Sequence, residues 1–205
     1  EYLIKDKLDF IGSDNIFVDN NILIKQNHKI AIDVNAIAKG YGVDVVFEFL
    51  KKYKIKDLMV ELGGEIRAIG KNQFGKTWSY GIETPSLDPQ TQTNYDFIIE
   101  LENRSMATSG DYRQYSMINE KIYSHTLDPR TGYPSINNVA SVTVLSPKCI
   151  DADALSTSLM ILEIDEGLKL IESIDDVEAL IILRDNDSYK TIKTSGMKIK
   201  TGMHN

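Results

Sequence analysis

A single cysteine, Cys149, stands among the 205 residues. One thiol excludes an internal disulfide framework and a cysteine-rich zinc centre. Histidine is almost as scarce, with three, so a general base near neutral pH has few seats. Positive charge is in deficit too: 23 Lys and Arg against 30 Asp and Glu leave a formal net charge of −7. That sign argues against a nucleic-acid partner and against direct adhesion to an anionic membrane. A polyanionic ligand would need a local basic group or a metal ion. No apolar run approaches the ~20 residues that a membrane-spanning helix requires. Internal repeats and low-complexity linkers are missing as well, which sets solenoids and tandem arrays aside. The chain opens Glu1-Tyr2-Leu3 without an initiator methionine, as expected of a trimmed or partial product.

What is present reads as one α+β domain over residues 1–205, with mixed or antiparallel sheets and packed helices. Ile16-Phe17-Val18 and Ile22-Leu23-Ile24 flank Asp19-Asn20-Asn21, which has hairpin-turn chemistry. Lys29-Ile30-Ala31-Ile32-Asp33 predicts a further strand. Asn35 is a candidate N-cap for a helix over 36–53, with Val45, Val46, Phe49 and Leu50 as its apolar face. Gly40 and Gly42 inside that helix cost roughly 1 kcal/mol each relative to alanine, so another element or a ligand should approach the backbone there. Gly63-Gly64 divides two strands and favours a turn, although a double glycine can also offer N–H groups to a ligand. In Ser105 to Tyr115, small hydroxyls and Gly110 at a strand-to-turn junction could cradle phosphate or simply turn the chain. Val139 to Ser146 alternates and predicts a half-buried strand, followed by a helix, a second helix over 163–174, a buried strand over 179–183 and a partner over 189–193.

The strand-to-helix junction after Ser146 carries the clearest chemistry. Asp153 is expected in the first helical turn and Thr157 four residues later, so both can face one atom. Both fall off the stripe of Leu155, Leu159 and Leu162, and burial does not account for them. Carboxylate and hydroxyl oxygens together suit a hard cation such as Mg²⁺. His125 follows a strand and precedes a loop rich in Pro, Gly and polar residues, which makes it the candidate general base. Cys149 has no histidine beside it in sequence and reads as a small packed residue.

Several of these stretches in register resemble the ApbE-type flavin transferases, which are FAD:protein FMN transferases. The segments are Ile32-Asp33-Val34-Asn35-Ala36-Ile37-Ala38-Lys39-Gly40-Tyr41-Gly42-Val43-Asp44, Glu61-Leu62-Gly63-Gly64-Glu65-Ile66-Arg67, Ala107-Thr108-Ser109-Gly110-Asp111-Tyr112, Ser124-His125 with Asp128-Pro129-Arg130-Thr131-Gly132, and Ala152-Asp153-Ala154-Leu155-Ser156-Thr157. The resemblance implies a Mg²⁺-dependent reaction with FAD as substrate. FMN is attached through its phosphate to a Thr or Ser of an acceptor flavoprotein, and AMP leaves. It implies metal ligation by Asp153, Thr157 and the Ala36 carbonyl. FAD contacts are expected from Asp33, Lys39 and Thr126, with Gly63, Gly64, Ser109 and Gly110 as further cofactor-binding candidates. His125 resembles the residue that deprotonates the acceptor hydroxyl, with Asp153 acting beside it. A Mg²⁺-dependent FAD pyrophosphatase and a non-catalytic flavin binder are the alternatives. The family pattern also places such proteins at the cell envelope, on the extracytoplasmic face of the membrane and often lipid-anchored. Members carry further chain, with part of the FAD pocket, ahead of the first matching segment; this sequence corresponds to the C-terminal larger part.

Overall fold

The computed structural model describes residues 2–84, 94–111, 115–118, 121–124, 126–135, 137–186 and 188–201. In chain order the elements are α1 (Tyr2–Leu8), β1 (Ile16–Asp19), β2 (Ile22–Lys25), α2 (Ala38–Lys51), β3 (Leu58–Leu62), β4 (Glu65–Ile69), β5 (Trp78–Thr84) and β6 (Asn94–Leu101). They continue as β7 (Ser105–Gly110), β8 (Tyr115–Ile118), β9 (Lys121–Ser124), β10 (Val139–Ser146), α3 (Cys149–Leu159), α4 (Ile164–Glu172), β11 (Glu178–Asp185), β12 (Ser188–Lys193) and β13 (Lys200–Thr201). The predicted α+β class holds, with antiparallel pairing in every described ladder.

A six-stranded sheet in the order β12-β11-β10-β7-β4-β3 forms the middle layer. Val142, Val144, Ala179, Ile181 and Leu183 meet α3 and α4 through Ala152, Leu159 and Ile171 on one face. Leu145, Leu180, Ile182, Ile66 and Met106 face the three-stranded sheet β13-β6-β5 on the other, against Ile82, Ile99 and Leu101. The strict alternation of β11 between these two cores is what a period-2 strand with both faces covered must show.

Several predicted elements change in the structure. Val139 to Ser146 is buried at all eight positions, not half-buried, because helices cover one face and a sheet the other. Its pairing with β11 also shifts between Val139 and Ser141. Across that irregularity Ala140 joins the sheet-side core while Val142 joins the helix-side core. Residues 29–33 form no strand. Ile30 N–H bonds back to Asn27 O at 3.1 Å, and Lys25 Nζ donates to Ile30 O at 2.7 Å, so local partners take the place of a ladder.

The helix predicted from 36 begins at Ala38, with Ile37 at its N-cap. Asn35 does not cap it: the Asn35 N–H donates to Asp33 Oδ1 at 2.8 Å, an Asx turn that holds 33–37 out of the helix. Nor is its buried face the predicted one. Gly40, Val43 and Phe47 are buried, whereas Val45, Val46 and Phe49 are 46–53% exposed. The segment 105–110, read as a turn junction, is instead a strand held between β10 and β4.

Both predicted tight turns hold. Asn20 and Asn21 adopt φ of 47° and 63° between β1 and β2, and Gly63 and Gly64 adopt 62° and 105° between β3 and β4. Two consecutive positive φ values suit a two-residue hairpin connection.

Candidate functional site

The site grows from the close crossing of α2 and α3. A Cβ added at Gly40 would lie 2.4 Å from the Cys149 carbonyl oxygen and 2.8 Å from Asp153 Cβ. Only glycine permits that approach. Through it the Gly40 N–H donates to Asp153 Oδ2 at 2.8 Å. One turn further along α2, Asp44 accepts the N–H groups of Cys149 at 3.1 Å and Ile150 at 3.0 Å. These are the first two residues of α3, whose own N-cap residue, Lys148, makes no side-chain cap. A carboxylate from α2 therefore satisfies the exposed donors of α3 and complements its dipole. Arg67 fixes Asp44 at 2.7 Å and Glu48 at 2.9 Å, with its guanidinium 4.3 Å from the Phe47 ring centroid.

This crossing buries Asp153, which is 3% exposed and sits in the second turn of α3. Both points correct the sequence reading, which put it in the first turn and away from burial. Burial pushes the Asp153 carboxyl above its usual range, while the Gly40 N–H and Lys39 pull it back. From the sheet, Ser109 Oγ meets Ser156 Oγ at 2.8 Å and Thr157 Oγ1 at 3.1 Å. From β4, Glu65 meets Lys39 Nζ at 2.5 Å. Burial raises the Glu65 carboxyl, and Lys39 opposes the shift.

These groups surround a cavity of about 230 Å³ lined by Asn35, Lys39, Glu65, Thr108, Ser109, Gly110, Thr126, Asp153, Thr157 and Met160. Six expected site residues, Lys39, Ser109, Gly110, Thr126, Asp153 and Thr157, thus converge on one space. Asp33, Ala36, Gly63 and Gly64 do not line it. Asp33 is exposed and engaged with Asn35, and Ala36 lies in the turn leading to α2. A Cβ on Gly63 would stand 3.6 Å from Lys39 Cδ, so this turn abuts the site from outside. His125 lies outside the described residues.

Sequence reading missed Glu65, Asn35 as a wall of the cavity, and the capping role of Asp44. Glu65 had a local signal, a charged residue opening a strand just behind two glycines. Asp44 had none, because its partners are 105 and 106 residues away.

No three carboxylate, imidazole or thiol side chains converge on a metal position among the described residues. A hard cation here would rest on the Asp153 carboxylate and the Thr157 hydroxyl, supplemented by main-chain oxygen. That all-oxygen set fits Mg²⁺, which also retains water or phosphate ligands. Cys149 is buried, and burial together with nearby carboxylates pushes its thiol up to about 12. It packs as predicted and supplies no thiolate. A larger open depression of about 670 Å³ crosses β6 and the C-terminal strand. Its Lys200 pairs with Glu100 and its Arg104 donates to the Asp176 carbonyl, so these two cations are engaged within the fold.

Residues 1–181 match the sequence model of the ApbE family. The FAD:protein FMN transferases of Vibrio cholerae and Haemophilus influenzae are each 40% identical, over 91% and 92% of this chain and 55% of each relative. Among solved structures, the flavin transferase ApbE from Vibrio cholerae superposes with a TM-score of 0.82 at 37% identity, covering 95% of this chain and 60% of that one. The chain thus spans about half the length of the curated relatives it matches. By sequence, by fold and by the gathering of its motifs, the chain belongs to the ApbE family.

Proposed function

We propose that this protein transfers FMN from FAD to a threonine or serine hydroxyl of an acceptor flavoprotein and releases AMP. One observation carries the proposal: a single cavity joins the oxygen pair Asp153 and Thr157 to the cation Lys39 and the small-residue end of β7. A pyrophosphate needs its charge offset and its phosphorus held open to in-line attack, and little else from the protein. The acceptor oxygen bonds to the FMN phosphorus, and the bond from that phosphorus to the bridging oxygen breaks. AMP leaves with the electron pair, and the hydroxyl proton passes to a base. His125 is the residue we assign as that base, on the resemblance of its segment.

Asp153 and Thr157 are the residues of the cavity that would hold Mg²⁺, with the Ala36 carbonyl a third ligand on the family resemblance alone, since Ala36 does not line the cavity. The ion when bound would offset phosphate charge and stabilise the departing AMP. Lys39 brings a point charge to the phosphates. Ser109 positions Thr157 by direct contact, and Gly40 positions Asp153. In an acidic protein these local charges let a polyanion enter. The working place we propose is the extracytoplasmic side of the cell envelope, as the family resemblance suggests.

The test is incubation with FAD, Mg²⁺ and an acceptor domain carrying a threonine flavinylation motif. Fluorescent flavin on the acceptor in step with AMP release is expected. Free FMN plus AMP without labelled acceptor would instead identify a pyrophosphatase, and unchanged FAD a binder. Asp153→Ala is expected to abolish turnover, and full activity of that variant at limiting Mg²⁺ would reject the metal assignment.

A further inference from the structure

Glu65 is a buried charge that the transfer step leaves without a task. It is 2% exposed and opens β4 directly behind the Gly63-Gly64 turn. Its Oε1 receives Lys39 Nζ. Its Oε2 is shielded from solvent and has no hydrogen-bond partner among the described residues, and the residue's own main-chain N–H eases the charge of the carboxylate only in part. A second carboxylate, Asp153, stands close enough to repel it, so one lysine serves two buried anions. An orphaned buried acceptor costs about 1–3 kcal/mol, and more when charged. A salt bridge built only for the fold would turn both oxygens toward donors. Here a carboxylate that lines the cavity keeps one oxygen uncommitted.

The chemistry of that oxygen narrows its partner. An anion is excluded by the carboxylate itself, and a second cation is disfavoured by the Lys39 ammonium on the same group. What remains is an uncharged donor. We propose that Glu65 is a ligand-binding residue of this cavity, its Oε2 accepting a hydrogen bond from a neutral O–H or N–H of the bound dinucleotide. The inference rests on the flavin transferase proposal for the identity of that ligand. Such a donor exists on both halves of FAD: ribityl hydroxyls and ring N–H on one, ribose hydroxyls and the adenine amine on the other.

Glu65→Gln separates this role from a structural one. The amide keeps the volume and turns its oxygen to Lys39, which leaves its NH₂ facing the ligand donor. We expect a thermal midpoint close to wild type and a dissociation constant for FAD roughly tenfold weaker, the size of one lost charge-assisted hydrogen bond. The KM for FAD should rise while kcat changes by less than about twofold. Titration with FMN and with AMP then assigns the half, because the loss should appear with only one of them.

Equal loss with both would place the effect on Lys39 and the phosphates, and would overturn the Oε2 contact. Unchanged affinity overturns it too. Glu65→Asp keeps the charge for Lys39 but shortens the reach, and the same loss is expected there if Glu65→Gln does not fold. Wild-type protein that transfers FMN while both variants bind FAD normally defeats this inference alone. Wild-type protein that binds none of the three ligands defeats the transferase proposal as well.

Discussion

Helices α2 and α3 cross at Gly40 and Cys149, yet they are built on opposite plans. Of the 11 residues of α3, five are buried, and two of those five are the polar Asp153 and Ser156. Of the 14 residues of α2, only Gly40, Val43 and Phe47 are buried, while Tyr41, Val45, Val46 and Phe49 are exposed. The more buried helix therefore carries the chemistry, and the more exposed one carries the larger apolar surplus. Burial in α2 is chosen by specific contacts: Gly40 to Asp153, Asp44 to the start of α3, and Arg67 lying over Phe47. Apolar residues surround α2, so hydrophobicity alone does not choose its inner face.

The sharpest break of this contrast lies between two phenylalanines of α2. Phe47→Ala should cost about 3–5 kcal/mol in urea unfolding, as large buried truncations do. Phe49 is 53% exposed and stacks edgewise on Tyr53 with centroids 5.3 Å apart, so Phe49→Ala should cost under about 1 kcal/mol. Equal costs would mean that hydrophobicity, and not contact, selects the face.

Next in size is the crossing itself. Alanine in place of a helical glycine gains about 1 kcal/mol in propensity, but at Gly40 the new methyl meets backbone. Gly40→Ala should therefore lose a net amount of about 1–3 kcal/mol, and the FAD binding proposed above should weaken with it. At Gly42 the added Cβ meets only Leu62 Cδ2, at 3.2 Å. Gly42→Ala should accordingly be neutral or slightly stabilising. Of the three sites expected to lose stability through burial or buried contacts, Asp44→Ala should lose least, about 1–2 kcal/mol, the scale of a lost N-cap. Arg67 retains Glu48 in that variant, and thermal unfolding would read the loss.

Local chemistry made part of this molecule legible in its sequence. Asn20-Asn21 and Gly63-Gly64 specify their turns through backbone preferences, and the apolar run of β11 specifies a buried strand. The alternation of Val142 with Ser141 and Thr143 was visible, but no pattern reveals that the second face of β10 is also covered. That cover comes from Ile82, Ile99 and Leu101 of other strands. Asp153 and Thr157 were legible as a pair from helical spacing, and motif order pointed to Lys39, Ser109, Gly110 and Thr126 for the same place. Glu65 escaped because its meaning depends on Lys39, 26 residues earlier. The burial of Asp153 escaped because the helix that covers it lies more than 100 residues upstream.

Those separations bear on how the protein comes into being. The bonds Gly40 to Asp153 and Asp44 to Cys149 close loops of 113 and 105 residues. At a synthesis rate of roughly 5–20 residues per second, α2 leaves the ribosome on the order of 5–20 s before the residues of α3 that complete it. During that interval the Gly40 and Asp44 face has no counterpart and the chain holds only half a cavity. Assembly of the site must then await a long-range closure, which sets it among the slow events of folding.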